Sequence, residues 1–225
     1  MKTNGPVPNV QKDMDALLAQ LQSEGRTPTL LLHGCCAPCS SYVLEYLSQY
    51  FFITLFFYNP NISPEEEYKR RAQEIQRLIR EMPLKNPVRL LFGKYDPDRY
   101  FETVRGLESE PEGGARCRKC FELRLSEAAK MTRKLGLEYF TTTLTISPLK
   151  NADVLNETGR RAAQKYGVHY LPSDFKKKNG YLRSIRLSEK YDLYRQNFCG
   201  CVFSREESGQ NAERKKPHYA QTKRK

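Results

Sequence analysis

An apolar run, Leu30-Leu31-Leu32, passes directly into His33-Gly34-Cys35-Cys36-Ala37-Pro38-Cys39, and this join constrains the fold more than any other stretch. Gly34 permits a tight turn and Pro38 suits the first turn of a helix. The stretch therefore reads as the loop between a buried strand and a helix beginning near Pro38. In an open parallel sheet such a loop lies at the carboxyl edge, where ligands bind. The amides and dipole of a helix start favour thiolate over thiol there. One cysteine in this place would be an ordinary small buried hydrophobe; three within five residues point to chemistry.

Further strand-like segments follow at residues 51–58, 88–92, 139–144 and 169–171, the first of them apolar on both faces as in a parallel sheet. Helical spacing predicts helices over about 38–49, 64–82, 97–104, 117–135, 151–166 and 180–195. Ser63, Pro64 and Glu66 have the pattern of an N-cap, a proline at the first helical position and a capping box. The charged face of that helix reads as solvent surface. Alternating strands and helices predict an α/β class, a doubly wound parallel sheet of about five strands with flanking helices. Residues 1–28 read as an N-terminal appendage, with Leu17, Leu18 and Leu21 along one side of a short helix, and 29–204 as the main domain. The acidic, glycine-rich stretch 108–115 reads as a mobile loop, and 205–225 as a disordered basic tail.

Charge narrows the partners. The 225 residues carry 38 basic and 26 acidic side chains, a net charge of +12, which favours a polyanion and nucleic acid first. Residues 176–190 hold six basic and one acidic residue, and 205–225 hold seven basic and three acidic, on either side of Cys199 and Cys201. Lys176, Lys177, Lys178, Arg183 and Arg186 are the candidate phosphate contacts. No run approaches the ~20 apolar residues of a membrane span. No apolar segment of signal type follows the first residues, so a soluble cytoplasmic protein without membrane partners is expected.

The seven cysteines are grouped at 35/36/39, 117/120 and 199/201. A secreted disulfide framework is normally even and dispersed, so metal or redox chemistry is the better reading. Zinc and iron–sulfur clusters both take four thiolates. Adjacent Cys35 and Cys36 are awkward for a zinc knuckle because neighbouring side chains diverge, whereas a wider cubane accepts them. Spacing therefore favours a [4Fe–4S] cluster on Cys35, Cys36, Cys117 and Cys120. A disulfide across Cys199-Gly200-Cys201 closes a small strained ring that is easily reduced, which suits a dithiol relay. On spacing alone, two more metal ligands or two surface thiols remain open there. Cys39 is either a further metal ligand or a packing residue. Asp96 is either a carboxylate near the cluster or a helix N-cap. His33 supports the cysteine loop from the core. No Walker-type or Gly-x-Gly-x-x-Gly loop occurs, so no nucleotide is expected.

These motifs resemble the QueH family, the cobalamin-independent epoxyqueuosine reductases. The resemblance rests on His33 to Cys39, Tyr58-Asn59-Pro60-Asn61-Ile62, Cys117-Arg118-Lys119-Cys120-Phe121 with Leu123-Arg124-Leu125, and Thr142-Thr143-Leu144 with Ser147-Pro148. Asp174-Phe175-Lys176-Lys177 and Tyr194-Arg195-Gln196-Asn197-Phe198-Cys199-Gly200-Cys201 extend it to about residue 204. It implies a HUP-like fold of the adenine-nucleotide-hydrolase type and an oxygen-sensitive iron–sulfur cluster, with no cobalamin. It implies reduction of epoxyqueuosine to queuosine at the tRNA wobble position, the last step of queuosine biosynthesis, with an electron donor whose identity the residues do not name. Carried over, Cys35, Cys36, Cys117 and Cys120 hold the cluster, and Cys199 with Cys201 form a redox-active disulfide. An additional iron beside the cluster is also implied, with Cys39 and Asp96 as its candidate ligands. Tyr181 or Tyr194 is a candidate to stack on a splayed-out base, helix packing being the commoner fate of such tyrosines. Two rival classes share the composition: an ATP-dependent, sulfur-transferring tRNA-modifying enzyme of the same fold, and a zinc-bearing nucleic-acid-binding module.

Overall fold

The structure, a computed structural model, describes residues 10–214. Its centre is β1 (Thr29–His33), whose three leucines are wholly buried. With β2 (Phe52–Phe57), β3 (Val88–Phe92), β4 (Tyr139–Thr142) and β5 (His169–Tyr170) it forms one all-parallel sheet in the order β3-β2-β1-β4-β5. The doubly wound α/β class expected from the alternation is thus the observed one. At the end of β1, His33 stands opposite Phe56 on one side and Thr142 on the other.

Side chains alternate across the strands and so supply two separate core layers. Leu30, Leu32, Ile53, Leu55 and Phe57 face α2 (Ala37–Leu47) and α3 (Glu65–Glu81). The same layer takes Met14, Leu18 and Leu21 from α1 (Val10–Ser23), so this part of the N-terminal segment is built into the main core. Leu31, Phe56 and Phe140 face α5 (Ala115–Leu135) and α6 (Ala152–Tyr166), where alanines allow close approach. The remaining helices are α4 (Pro97–Thr103), α7 (Gly180–Lys190) and α8 (Val202–Arg214). Chain order runs outward from β1 to β3, then returns to the other edge of β1 with β4. The crevice above β1 and β4 is therefore the topological switch point of the sheet. Among the described residues no helix is long and apolar enough to cross a membrane.

Several local expectations change. The capping box at Ser63 does not form: α3 begins at Glu65, Pro64 occupies the cap position, and no side chain caps it. The Ser63 amide instead donates to Gly200 O at 2.9 Å, and three glutamates in the first turn complement the helix dipole. The loop expected to be mobile is stitched down. Arg116, 2% exposed, donates through Nη1 to the carbonyls of Glu108 and Glu110 and through Nη2 to Glu207 of α8. The helix expected to reach residue 195 stops at Lys190, and Asp192 with φ 46° turns the chain away. Where a disordered tail is expected from 205, the chain is helical through Arg214; residues 215–225 lie outside the described residues.

The polar face of α3 is not plain solvent surface. Arg71, 1% exposed, pairs with Glu67 at 2.6 Å and donates to Cys199 O at 2.9 Å. Glu74 accepts from the Tyr194 amide at 2.9 Å, and Arg77 donates to the carbonyls of Tyr191 and Asp192. The Tyr194 hydroxyl donates to Glu67, and the Arg70 guanidinium lies 3.4 Å from the Tyr194 ring centre. One helix face thereby holds the segment that carries Cys199 and Cys201. Gly200, at φ +132°, adopts a backbone conformation that L side chains rarely take, and a Cβ there would press on Arg71 and Ile62.

Two outcomes follow for this clamp. Arg71→Ala leaves Glu67 without its cation, though still accepting from the Tyr194 hydroxyl, and the Cys199 carbonyl without its donor, and denaturant melting is expected to show a loss of about 3–5 kcal/mol. Arg77 and the Tyr194 amide hold the Glu74 carboxyl below the usual carboxylate range. Its contribution is therefore present above the unfolded value of about 4.3 and lost as pH falls through the lower folded value. Glu74→Gln should lower stability at neutral pH and flatten the acid limb of a stability-versus-pH curve; an unchanged acid limb would show that Glu74 does not anchor the segment.

Candidate functional site

The cysteine loop leaves β1 at the switch point and enters α2, whose N-cap residue is Cys36 in extended conformation with Pro38 in the first turn. Three sulfurs converge there: those of Cys35, Cys36 and Cys39 all lie within 4.8 Å of one another, and the first two are 3.7 Å apart. They form the floor of a cavity of about 270 Å³. Its walls come from the segment after the 3-10 turn Thr143–Ile146, from Tyr181 on α7, and from residues 195–199. A second cavity, about 110 Å³, is lined by Cys117, Cys120, Cys199 and Cys201. Cys199, Glu112, Leu149 and Lys150 line both, so the cavities adjoin and together take in all seven cysteines.

Of the four cysteines expected to share one cluster, Cys35 and Cys36 stand in the close trio, and Cys39 completes it in place of an α5 residue. Cys117 packs against the apolar group around Cys35, Cys36 and Phe121, whereas Cys120 packs with Tyr100 and Cys201. All seven cysteines are unbridged. Burial pushes the Cys120 thiol up to about 12. Cys35 goes the other way. The neighbouring thiols of Cys36 and Cys39, then the charges of Arg124 and Lys150, hold it well below the ordinary thiol range. Within the trio the surroundings thus favour negative charge at Cys35, while Cys36 and Cys39 are pushed up.

That charge has a partner which sequence reasoning missed. Arg124 of α5 is 1% exposed and lines the first cavity, yet no carboxylate pairs with it among the described residues. Its Nη2 donates to Asn59 Oδ1 at 2.6 Å, and Asn59 Nδ2 donates to Gly34 O at 2.9 Å, the carbonyl just before Cys35. Its Nη1 lies 4.0 Å from Cys120 Sγ and its Nε 3.4 Å from His33 Nε2. Burial, reinforced by Arg124, drives His33 down to about 3, so the imidazole is neutral. It contacts Thr142 Oγ1 at 2.9 Å and the Tyr58 carbonyl at 3.1 Å. A signal for Arg124 was present: Cys117, Cys120 and Arg124 follow at intervals of three and four, which is one helix face. Lys150 and Glu112, in loops, had no such signal.

The other expected residues fall elsewhere. Asp96 caps α4, accepting from the Arg99 amide, and pairs with Lys94 at 2.9 Å; it lines neither cavity. Three of the five basic residues expected on phosphates are engaged within the chain. Lys176 pairs with Asp174, Lys178 with Asp15, and Arg183 with Glu45. Lys177 and Arg186 are exposed without ion pairs among the described residues. Tyr194 is spent on α3, while Tyr181 is exposed at the cavity wall.

The family model described as "Epoxyqueuosine reductase QueH" matches residues 30–207. The chain belongs to the QueH family. A relative named epoxyqueuosine reductase QueH from Streptococcus pyogenes serotype M1 is 47% identical over 208 residues, covering 90% of this chain and 82% of the relative. One of the same name from Staphylococcus epidermidis is 43% identical, over 89% of this chain and 86% of the relative. Another, from Thermotoga maritima, is 35% identical over 84% of this chain and 98% of the relative. Every cysteine of the two cavities falls inside the stretch that matches the QueH model.

Three converging thiols can hold a thiophilic ion. Cobalt(II), added anaerobically to the metal-free protein, should give sulfur-to-cobalt charge-transfer absorption that Cys35→Ala abolishes and Cys39→Ala weakens. Equal spectra in the wild type and Cys35→Ala would show that the trio does not act as a ligand group.

Proposed function

We propose that this chain reduces the epoxide of epoxyqueuosine in tRNA to the alkene of queuosine, using a thiolate-held iron–sulfur cluster and the Cys199/Cys201 dithiol. The observation that carries this reading is the meeting of all seven cysteines on two adjoining cavities at the switch point, with Cys199 common to both.

The donor set fits such a cofactor. Its ligands are thiols, and the adjacent buried guanidinium of Arg124 has neutral hydrogen-bond partners, so its charge calls for an anionic sulfur centre nearby. We assign Cys35 and Cys36, with Cys117 and Cys120 from α5, as the ligands of a [4Fe–4S] cluster. The closeness of Cys39 to Cys35 and Cys36 favours a second assignment in which Cys39 is also a metal ligand. When bound, such a centre supplies one-electron transfer and a Lewis-acidic iron.

The remaining chemistry belongs to the chain. Opening an epoxide to an alkene takes two electrons and two protons and releases water. Oxidation of the Cys199/Cys201 dithiol to a disulfide yields two electrons and two protons, so one dithiol balances one turnover, and an external reductant restores it. Gly200 at φ +132° gives the turn that a bridge between residues two apart needs. The α3 clamp fixes Cys199 through its carbonyl, leaving its sulfur on the cavity wall. Tyr181 and the exposed Leu149 form a wall on which a base can stack or rest. Lys177 and Arg186 are the basic residues left available for phosphates, with affinity that falls as salt rises.

The test is anaerobic incubation with epoxyqueuosine-bearing tRNA and mass analysis of the released nucleoside, which should lose one oxygen atom. The loaded protein should be brown and bleach with dithionite; a colourless zinc protein would sink the reading. Cys35→Ala should lose colour and turnover. Cys199→Ala should keep the colour but fail to sustain turnover, and steady-state activity in it would remove the relay role. Iron content in Cys39→Ala beside Cys120→Ala separates the two ligand assignments.

A further inference from the structure

We propose that Glu112 binds the cationic amine of the substrate and thereby sets where the epoxide lies; this rests on the reading that the substrate is epoxyqueuosine. Glu112 belongs to the loop between α4 and α5 and is partly buried. Among the described residues it is the one acidic side chain lining either cavity, and it lines both. The cations on the first cavity's wall are Arg124, Lys150 and Arg195. None forms an ion pair with Glu112 among the described residues, and the neighbouring Arg116 pairs with Glu207 instead. What holds the carboxylate is neutral: Ser204 Oγ donates to its Oε2 at 3.1 Å, and Ser204 in turn accepts from the Cys199 amide at 2.9 Å. The carboxylate is thus tied to the turn that carries the dithiol.

Lys150 acts on Glu112 through its charge but closes no ion pair with it among the described residues, so a cationic ligand that donates directly to the carboxylate adds a charge-assisted hydrogen bond. The substrate supplies one. In epoxyqueuosine the epoxide-bearing ring joins the 7-deazaguanine base through a secondary amine, which is protonated at neutral pH and offers two N–H donors. Unmodified guanine at the same position offers no such charge. Glu112 is the carboxylate on these walls, placed to accept from an ammonium where the two cavities join. A second acceptor stands on the same wall: Gln196 Oε1 is buried with no donor among the described residues. The cavity therefore presents acceptors to a ligand rich in N–H and O–H donors. An ammonium seated at Glu112, where the cavities join, leaves the attached ring within the first cavity, toward the cysteine floor.

The test reads binding. Anticodon stem–loop RNA carrying queuosine at the wobble position keeps the amine but lacks the epoxide; the same RNA with guanine lacks both. The wild-type protein should prefer the queuosine RNA by a factor of roughly ten to a hundred. Glu112→Gln, which keeps the acceptor for Ser204, should erase the preference and leave affinity for guanine RNA unchanged, while Glu112→Asp keeps part of it. A preference that survives in Glu112→Gln, or none in the wild type, overturns the proposal. Should the Gln variant bind neither RNA, Glu112→Asp decides: a reduced preference supports the site and a full one sinks it. Turnover of epoxyqueuosine tRNA is scored separately. A Glu112-dependent preference without turnover defeats the reductase reading alone, and turnover without the preference defeats the amine site alone.

Discussion

A guanidinium buried among neutral groups governs the centre of this molecule. Removing Arg124 from water costs several kcal/mol unless an anion compensates, and within the described chain its good hydrogen bond goes to an amide. The compensation available to it is sulfur: Cys35, Cys120 and Cys199 all act on it, and Cys35 is the one held below the ordinary thiol range. The same side chain is a strut. Through Asn59 it reaches the Gly34 carbonyl, so a helix from the middle of the chain sets the backbone of the loop that begins the thiol trio. The one side chain thus serves both charge balance and loop geometry.

The second dependency is longer in range. Cys199 reaches both cavities only because the segment after α7 is drawn across α3 and then returned by α8. Arg71, Glu74 and Arg77 hold backbone groups of this segment, which leaves the Cys199 side chain to line the cavities. Arg116 does the same on the opposite flank, joining the 108–110 carbonyls to Glu207. A loop that delivers redox thiols needs to be held by its main chain. Carbonyls gripped by arginine are a rigid way to do it, because the planar guanidinium presents several donors in a fixed fork.

Much of this was legible beforehand. The run Leu30-Leu31-Leu32 reads as a buried strand, and strand–helix alternation then admits few topologies. That placed the Cys35 loop at the carboxyl edge. The α5 cysteines and Arg124 were separated by helical intervals and hence sat on one face. The polar face of α3 was not legible. A charged helix stripe reads the same whether water or a returning segment covers it, and only the fold shows that Arg71 is 1% exposed. Ser63 looked like a cap because local pattern cannot know that its amide will be taken by Gly200. The basic run at 176–190 looked available for the same reason: its carboxylate partners Asp15 and Glu45 are more than a hundred residues away.

What the sequence determined by itself is the set of local preferences. The strand and helix periods, the sheet class, and the three cysteine groups at element ends all follow from spacing of apolar and thiol side chains along the chain. What only the tertiary structure decided is which groups meet: the trio of Cys35, Cys36 and Cys39, the placement of Cys199 across two cavities, and Glu112 in place of Asp96 as the carboxylate on their walls. The physical reason is that periodicity is a property of neighbours in the chain. Desolvation and pairing of charge depend on neighbours in space, which a linear pattern does not contain.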